Sequence, residues 1–256
     1  MEYWILFGTF VFLLFIGTPI AFCLGVASFA TVVYLDLPPV VIFQRLNSGV
    51  SVFALMAIPF FIYAGELMVR GDIARRLVAL AGSMVGHFKG GLGQVNILTS
   101  VMFGGISGSA AADTSAIGGI MIGQMEKRGY DVDYAVSVTV TSSMISLMLP
   151  PSHNLIIYSI SAGGKLSIAD LFTAGIIPGF ILAVSLMIAA WIMARRRDYP
   201  TEEFHGWHMV GKLFINALPG LILVAIIFGG VRSCIFTASD SSCIAVVYAL
   251  FATLVA

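Results

Sequence analysis

The segment 103–118 places small hydroxyl and glycine residues, together with one acid, inside an otherwise apolar stretch of the chain. Ser107 and Ser109 flank Gly108, and Asp113 follows. Backbone that leaves a helix at membrane depth must be buried in protein or line a watery cavity, because lipid cannot satisfy its N–H and C=O groups. The segment therefore predicts a site for an ion or a polar substrate.

A second interruption follows about 40 residues later, where the sequence Leu-Pro-Pro-Ser-His-Asn occupies positions 149–154. Two prolines followed by three polar residues cannot continue a regular helix. Carbonyls freed at such a break, together with serine hydroxyls, suit a hard monovalent cation, and the N-terminal end of the next half-helix favours a carboxylate. We expect the tip of the first segment and this break to form one site. The residues predicted to hold a cation are Ser107, Ser109, Ser146, Leu149 and Pro151, and those predicted to face an anionic substrate are Ser152, His153 and Asn154.

Simpler interpretations exist for the same residues. Glycine and serine in membrane helices often serve close packing alone. His153 is compatible with a hydrogen-bonded helix-end residue, and Asp113 with a structural partner of a helix N-terminus. The co-occurrence of two interruptions favours a site over these alternatives.

The chain carries no pattern typical of an enzyme. It has no metalloprotease motif, no phosphate-binding loop and no Gly-x-Ser-x-Gly elbow, and Thr114 and Ser115 have no His or Lys base on the same segment. A rhomboid-like intramembrane protease would need such a nucleophile context for Ser107 or Ser109. We therefore expect a protein that is not an enzyme.

Composition sets the class of protein. Of 256 residues, 59% are hydrophobic and only 10% are charged, and the apolar runs recur along the whole chain. This predicts an all-α polytopic membrane protein that contacts the lipid bilayer, and we expect no nucleic-acid partner.

The apolar runs predict an order of helices that would position the site. We expect a long helix over 3–35 with a kink at Pro19, a surface helix over 72–85, and a re-entrant hairpin within 90–125. Its arms, 92–103 and 110–125, are each about half a membrane thick at 1.5 Å per residue. The further predicted elements are spans over 52–69, 166–194, 210–229 and 235–256, a discontinuous helix over 135–160, and a cytoplasmic linker over 198–208.

The basic residues support this topology. With a surface helix and a re-entrant hairpin, ten of the 13 Lys and Arg residues fall on one side of the membrane, and only Arg45, Lys165 and Arg232 fall on the other. The positive-inside rule then predicts a cytoplasmic N-terminus and a cytoplasmic hairpin entrance.

The sequence resembles the large membrane subunit (DctM/SiaM-like) of TRAP transporters along its whole length. The resemblance is carried by four segments, Ile-Ser-Gly-Ser-Ala at 106–110, Met-Glu-Lys-Arg-Gly-Tyr at 125–130, Pro-Pro-Ser-His-Asn-Leu-Ile-Ile-Tyr at 150–158 and Leu-Phe-Thr-Ala-Gly-Ile-Ile-Pro-Gly at 171–179. It implies sodium-driven secondary uptake of an organic acid, such as a C4-dicarboxylate or sialic acid, across the bacterial inner membrane. It also implies an elevator mechanism, a periplasmic binding protein, a small four-helix membrane subunit, and sodium as the ion at the predicted cation site.

Family members are markedly longer and contain two inverted repeats, whereas this chain shows one hairpin and one broken helix. We therefore expect the N-terminal portion of such a subunit, an elevator-type transporter half with one re-entrant hairpin and one discontinuous helix. The alternative is a truncated or split half that is inactive without a complementary half. The expected divisions are 1–89 for scaffold and surface helices, 90–165 for the hairpin and broken helix, 166–208 for a span and linker, and 209–256 for the start of a second repeat.

Overall fold

The chain is described from a computed structural model over residues 1–163, 165–201, 206–233 and 235–255. Residues 202–205 of the predicted linker and residue 256 of the last predicted span therefore lie outside the described residues. Two compact units are present, Met1–Val52 and Phe53–Ala256. Within the described ranges every regular element is helical, as the composition predicted.

The first unit contains three helices, α1 (Glu2–Phe15), α2 (Ile20–Tyr34) and α3 (Val40–Val50). The predicted single helix over 3–35 is wrong, because the chain stops being helical between Phe15 and Ile20 and the two halves pack against each other. Gly17 has a positive φ of 84° and Pro19 has no N–H to donate, so the turn between them reverses the chain instead of kinking a continuous helix.

The second unit holds the remaining helices. After a short 3-10 turn they are α4 (Ala57–Arg70), α5 (Ile73–Val85), α6 (Gly91–Ser107), α7 (Ala110–Lys127), α8 (Val132–Ser143), α9 (His153–Ser161), α10 (Ile168–Arg196), α11 (Trp207–Arg232) and α12 (Ala238–Val255). Three stretches among the described residues are long and apolar enough to cross a membrane, namely 53–70, Ile168–Arg196 and Trp207–Arg232.

Helices α6 and α7 form the predicted hairpin, and they turn at Gly108. The arms are longer than predicted, with 17 and 18 residues. At 1.5 Å per residue each arm is about 26 Å long, so the expectation of half-membrane arms is wrong. The first arm extends beyond Phe103 because Gly104, Gly105, Ile106 and Ser107 stay helical, buried against neighbouring helices.

The predicted discontinuous helix is present. Helix α8 ends at Ser143, a 3-10 turn covers Met144–Leu147, and α9 starts only at His153. Pro150 and Pro151 lie in the non-helical stretch between them, as their missing N–H groups require.

Helix α10 is bonded to both the hairpin and the broken helix. The Gln94 side chain of α6 donates to the Met187 carbonyl at 2.8 Å, and the Tyr134 hydroxyl of α8 donates to the Ala190 carbonyl at 3.2 Å. Beyond α10, the Lys89 ammonium and the Asp198 carboxylate form an ion pair at 2.5 Å. These contacts hold the base of the hairpin and the end of α10 together.

Candidate functional site

The hairpin tip and the broken helix meet at two glycines. Gly108 has a positive φ of 58°, and a Cβ added there would collide with the Pro151 carbonyl oxygen. A Cβ on Gly104 would lie 2.9 Å from both the Cα and the Oγ of Ser146. Only glycine allows this approach of backbone to backbone, so the hairpin tip and the break are in direct contact.

Asp113 is the acidic residue at this centre. It lies in the first turn of α7 and its side chain is 0% exposed. Neither carboxylate oxygen makes a hydrogen bond with any described group, although the hydroxyls of Ser146 and Ser100 are its polar neighbours. The helix dipole at the N-terminus of α7 favours a negative charge on Asp113. It does not supply hydrogen bonds to the four lone-pair sites of the carboxylate.

The Ser146 hydroxyl is unpartnered as well. It is 0% exposed and forms no hydrogen bond with any described group. Buried polar atoms almost always have a partner, and each exception in a folded protein needs an explanation. Two such exceptions side by side, a carboxylate and a hydroxyl, form an oxygen-lined position suited to a cation.

A chain of hydrogen-bonded side chains extends from this position into the bundle. Ser100 donates to the Ser142 hydroxyl at 3.0 Å, and Ser142 also lies 3.4 Å from the Asn96 amide oxygen. The Asn96 amide nitrogen donates to Thr139 at 2.7 Å. These four residues join α6 to α8 and hold Ser100 in place next to Asp113.

The residues predicted to hold a cation lie in the following positions. Ser107 is buried at the last residue of α6, and Ser109 caps α7, its hydroxyl accepting from the Ala112 N–H at 3.4 Å. Pro151 faces Gly108, and Leu149 is half-buried and packs towards α10 near Gly179. The structure brings the tip, Ser146 and Pro151 together, while Ser109 uses its hydroxyl on its own helix.

The residues predicted to face a substrate begin α9. Ser152 is buried and donates to the Leu147 carbonyl at 2.6 Å, which closes the break instead of leaving its hydroxyl free. His153 is 8% exposed, and its Nε2 makes no hydrogen bond with a described group. Asn154 is exposed.

Sequence reasoning underestimated Asp113, which it treated as a helix-end partner. The available signal was its type, since it is the one acid within the predicted hairpin over 90–125. It also missed Ser100 and Ser142, because single serines within helical runs are indistinguishable from packing residues until the neighbouring helix is known. Among the described residues no group of three or more His, Cys, Asp or Glu side chains forms a metal centre, so a cation here would be held mainly by hydroxyl and backbone oxygens.

Apolar helices, together with a polar centre built from a hairpin and an interrupted helix, define a helical membrane protein. Residues 7–256 match the family described as "Tripartite ATP-independent periplasmic transporter, DctM component". The chain belongs to this family.

Three relatives illustrate the match. The chain is 44% identical to the uncharacterized protein YgiK of Salmonella typhimurium over 96% of its length, and 38% identical to the 2,3-diketo-L-gulonate TRAP transporter large permease protein YiaN of Escherichia coli over 92%. It is 35% identical to the sialic acid TRAP transporter large permease protein SiaM of Vibrio cholerae over 93%. The chain spans 57%, 55% and 56% of these relatives, respectively.

Proposed function

We propose that the chain acts in sodium-coupled uptake of an organic acid across the bacterial inner membrane, as a multi-pass part of a TRAP large permease. Its partners would be the small four-helix membrane subunit and a periplasmic binding protein of the same system. Family membership and the substrates for which two relatives are named, a diketo-gulonate and sialic acid, support this function. C4-dicarboxylates are a third candidate class, because similar DctM permeases are named for them.

The observation that carries the proposal is the pair of unpartnered, fully buried polar groups on Asp113 and Ser146. A fully buried carboxylate with only the hydroxyls of Ser146 and Ser100 beside it is costly, and a bound cation would offset part of that cost. The Ser107 hydroxyl and the Pro151 carbonyl lie nearby, where the hairpin tip contacts the break between α8 and α9. Sodium prefers such oxygens, and no thiolate or imidazole pair is required.

The N-terminus of α9 is the proposed position for the substrate carboxylate. Its first backbone N–H groups are not used by the α-helical ladder, and the helix dipole favours an anion there. The unpartnered Nε2 of His153 adds one side-chain group, and the exposed Asn154 adds an amide. A cation on one side of the break and a carboxylate on the other would stabilise each other, which is the physical basis of coupling.

The alternative, a chain that works only with a complementary segment, is supported by length. The chain covers between 55% and 57% of the three relatives compared above. In inverted-repeat transporters the site lies at the interface of two repeats. Assembly with a second segment would then be needed before uptake begins.

Reconstitution in liposomes tests the proposal. The chain would be inserted with a small subunit and a binding protein of the family, with and without a complementary permease segment, and uptake of each labelled acid would be followed under an inward sodium gradient. Ser107→Ala should raise the sodium concentration for half-maximal uptake about tenfold, because one contact to a charged ion is lost. Ser115→Ala is the matched control, since that hydroxyl bonds only the Ala112 carbonyl of its own helix.

Uptake without the added segment would support the main proposal, and uptake only with it would support the alternative. Uptake that does not depend on sodium would reject the coupling. Unchanged sodium activation in Ser107→Ala would remove Ser107 from the site.

A further inference from the structure

Four polar side chains between α6 and α8 are connected so that each hydroxyl hydrogen has a defined direction. Asn96 and Ser100 lie on α6, Thr139 and Ser142 lie on α8, and all four are buried. None of them is among the residues that the sequence predicted to hold a cation. Because a hydroxyl has one hydrogen to donate and two lone pairs that accept, its neighbours determine where its hydrogen points.

The Asn96 amide sets the start of this chain of hydrogen bonds. Its nitrogen lies 2.7 Å from the Thr139 hydroxyl, and that hydroxyl lies 2.8 Å from the Ala135 carbonyl. An amide N–H can only donate and a carbonyl can only accept, so the Thr139 hydrogen goes to Ala135 and a Thr139 lone pair accepts from Asn96. The amide oxygen of Asn96 then faces the Ser142 hydroxyl at 3.4 Å.

The Ser142 hydroxyl accepts from Ser100. Two of its neighbours, the Asn96 amide oxygen at 3.4 Å and the Thr139 carbonyl at 3.1 Å, can only accept, and its single hydrogen goes to them. The third neighbour, the Ser100 hydroxyl at 3.0 Å, therefore donates to it. The hydrogen of Ser100 points to α8, and the Ser100 lone pairs are left for another partner.

The Asp113 carboxylate lies beside these lone pairs. Among the described residues, the side chains that act on this carboxylate are the hydroxyls of Ser146 and Ser100, and no Lys or Arg is one of them. The carboxylate oxygens and the Ser146 hydroxyl make no hydrogen bond with any described group. Lone pairs on neighbouring buried oxygens repel each other, and a cation between them converts this repulsion into attraction.

We propose that Ser100 is a further oxygen ligand of the sodium ion next to Asp113 and Ser146, and that Ser142 is a positioning residue that keeps the Ser100 hydrogen away from the ion. This inference rests on the proposed sodium coupling and extends its site into the first arm of the hairpin. If Ser142 is lost as an acceptor, the Ser100 hydrogen turns to the carboxylate, because hydrogen bonds to a charged acceptor are stronger. The lone pair that faced the ion is then no longer available.

The test measures sodium binding, and not uptake, with the 256-residue chain purified in neutral detergent. The thermal midpoint of unfolding is followed against sodium chloride at an ionic strength kept constant with potassium chloride, which gives an apparent dissociation constant. Ser100→Ala should raise this constant about tenfold, because one contact to a charged ion is lost. Ser100→Cys should raise it equally, because it keeps the size of the side chain but replaces a hard oxygen with a soft sulfur.

Ser142→Ala separates positioning from ligation. It removes no ligand of the ion, so it should raise the dissociation constant less, about threefold. The double variant with Ser100→Ala should show about tenfold, and not the roughly thirtyfold that two independent residues would give. Ser242→Ala is the matched control and should leave the constant unchanged, because that buried hydroxyl bonds the Ser239 carbonyl of its own helix, α12.

The outcomes distinguish this inference from the proposed function. A wild-type dissociation constant in Ser100→Cys, or variants that lower the midpoint equally with and without sodium, would overturn the role of Ser100 and leave sodium coupling intact. Independent effects of the two alanine substitutions would overturn the positioning role of Ser142. A wild-type chain whose midpoint does not respond to sodium would reject sodium binding itself, and this inference with it.

Discussion

Gly108 and Pro151 lie so close that the hairpin tip has no room for a side chain where it faces the Pro151 carbonyl oxygen. These residues are 43 positions apart in sequence (151 minus 108), and their contact joins the two interruptions of the chain. The positive φ of Gly108 turns the backbone from α6 into α7 at the same point. One residue thus sets both the turn of the hairpin and its distance from the broken helix.

Gly108→Ala should destabilise the fold strongly. The substitution adds a Cβ to a left-handed residue and drives it into a carbonyl, for an expected loss of about 2 kcal/mol or more. The measurement is the thermal midpoint of the purified chain in detergent. Gly123→Ala, in open space on α7, should be neutral or slightly stabilising. A Gly108→Ala midpoint equal to wild type would show that the tip does not pack as described.

Asp113→Asn should remove stabilisation by sodium. If sodium neutralises the buried carboxylate, the wild-type midpoint should rise with sodium chloride more than with potassium chloride at equal ionic strength. At a sodium concentration 100 times the dissociation constant, binding would stabilise the folded chain by about 2.7 kcal/mol. The amide carries no charge, so Asp113→Asn should be insensitive to sodium and at least as stable as wild type without it. A sodium response retained in Asp113→Asn would place the ion elsewhere.

Cysteine labelling should place both ends of the hairpin on one side of the membrane. Lys89 precedes α6 and Lys127 ends α7, and the arms run antiparallel from the tip. In a chain without its native cysteines, Lys89→Cys and Lys127→Cys should react with an impermeant reagent from the cytoplasmic side. Lys165→Cys, after α9, is the control expected to react from the opposite side. Labelling of positions 89 and 127 from opposite sides would rule out a re-entrant hairpin.

The ion pair of Lys89 and Asp198 should depend on pH. The Lys89 ammonium holds the pKa of Asp198 below its ordinary range through a direct hydrogen bond. A lowered folded-state pKa gives stability that is present above the ordinary pKa of an aspartate and is lost as pH falls through the lowered value. A double-mutant cycle with Lys89→Gln and Asp198→Asn should therefore show coupling at pH 7 that declines as the pH falls below the ordinary pKa of an aspartate, about 3.9.

Salt gives the control for this pair. Both side chains are substantially exposed, at 42% and 85%, so about 1 M sodium chloride should also suppress the coupling, since the screening length is then about 3 Å. Coupling that survives both acid and salt would mean that packing, and not charge, joins these residues.

The features that depend on local backbone chemistry could be predicted from the sequence. Gly108 between two serines marks the hairpin tip, and the double proline at 150–151 marks the break between α8 and α9. Glycine and proline act on their own dihedrals, so their effect does not depend on distant neighbours. The contact between the hairpin tip and the break at 150–151 was expected because both interruptions were assigned to one site.

Other features depend on contacts that the sequence does not display. The reversal between α1 and α2 was predicted as a kink, because an apolar run of that length fits a single helix as well as two. The isolation of Asp113 depends on which groups α6 and the 3-10 turn place around it. In the sequence Gly104 is indistinguishable from any other helix glycine, and its role follows only from the packing of Ser146 against it. Each of these features can be recognised only when the residues that contact it in the folded structure are known.

The bonds from Gln94 and Tyr134 to the carbonyls of Met187 and Ala190 also have a mechanical consequence. Helix α10 has 29 residues and is therefore about 44 Å long, more than the hydrocarbon thickness of a bilayer. Helices α6 and α8 each hold α10 by one side-chain bond, at carbonyls three residues apart, so this half of α10 can move only together with the hairpin. Pro178 lies inside α10 between these bonds and Ile168, and its missing N–H marks the point at which the other half of the helix can bend independently of the hairpin.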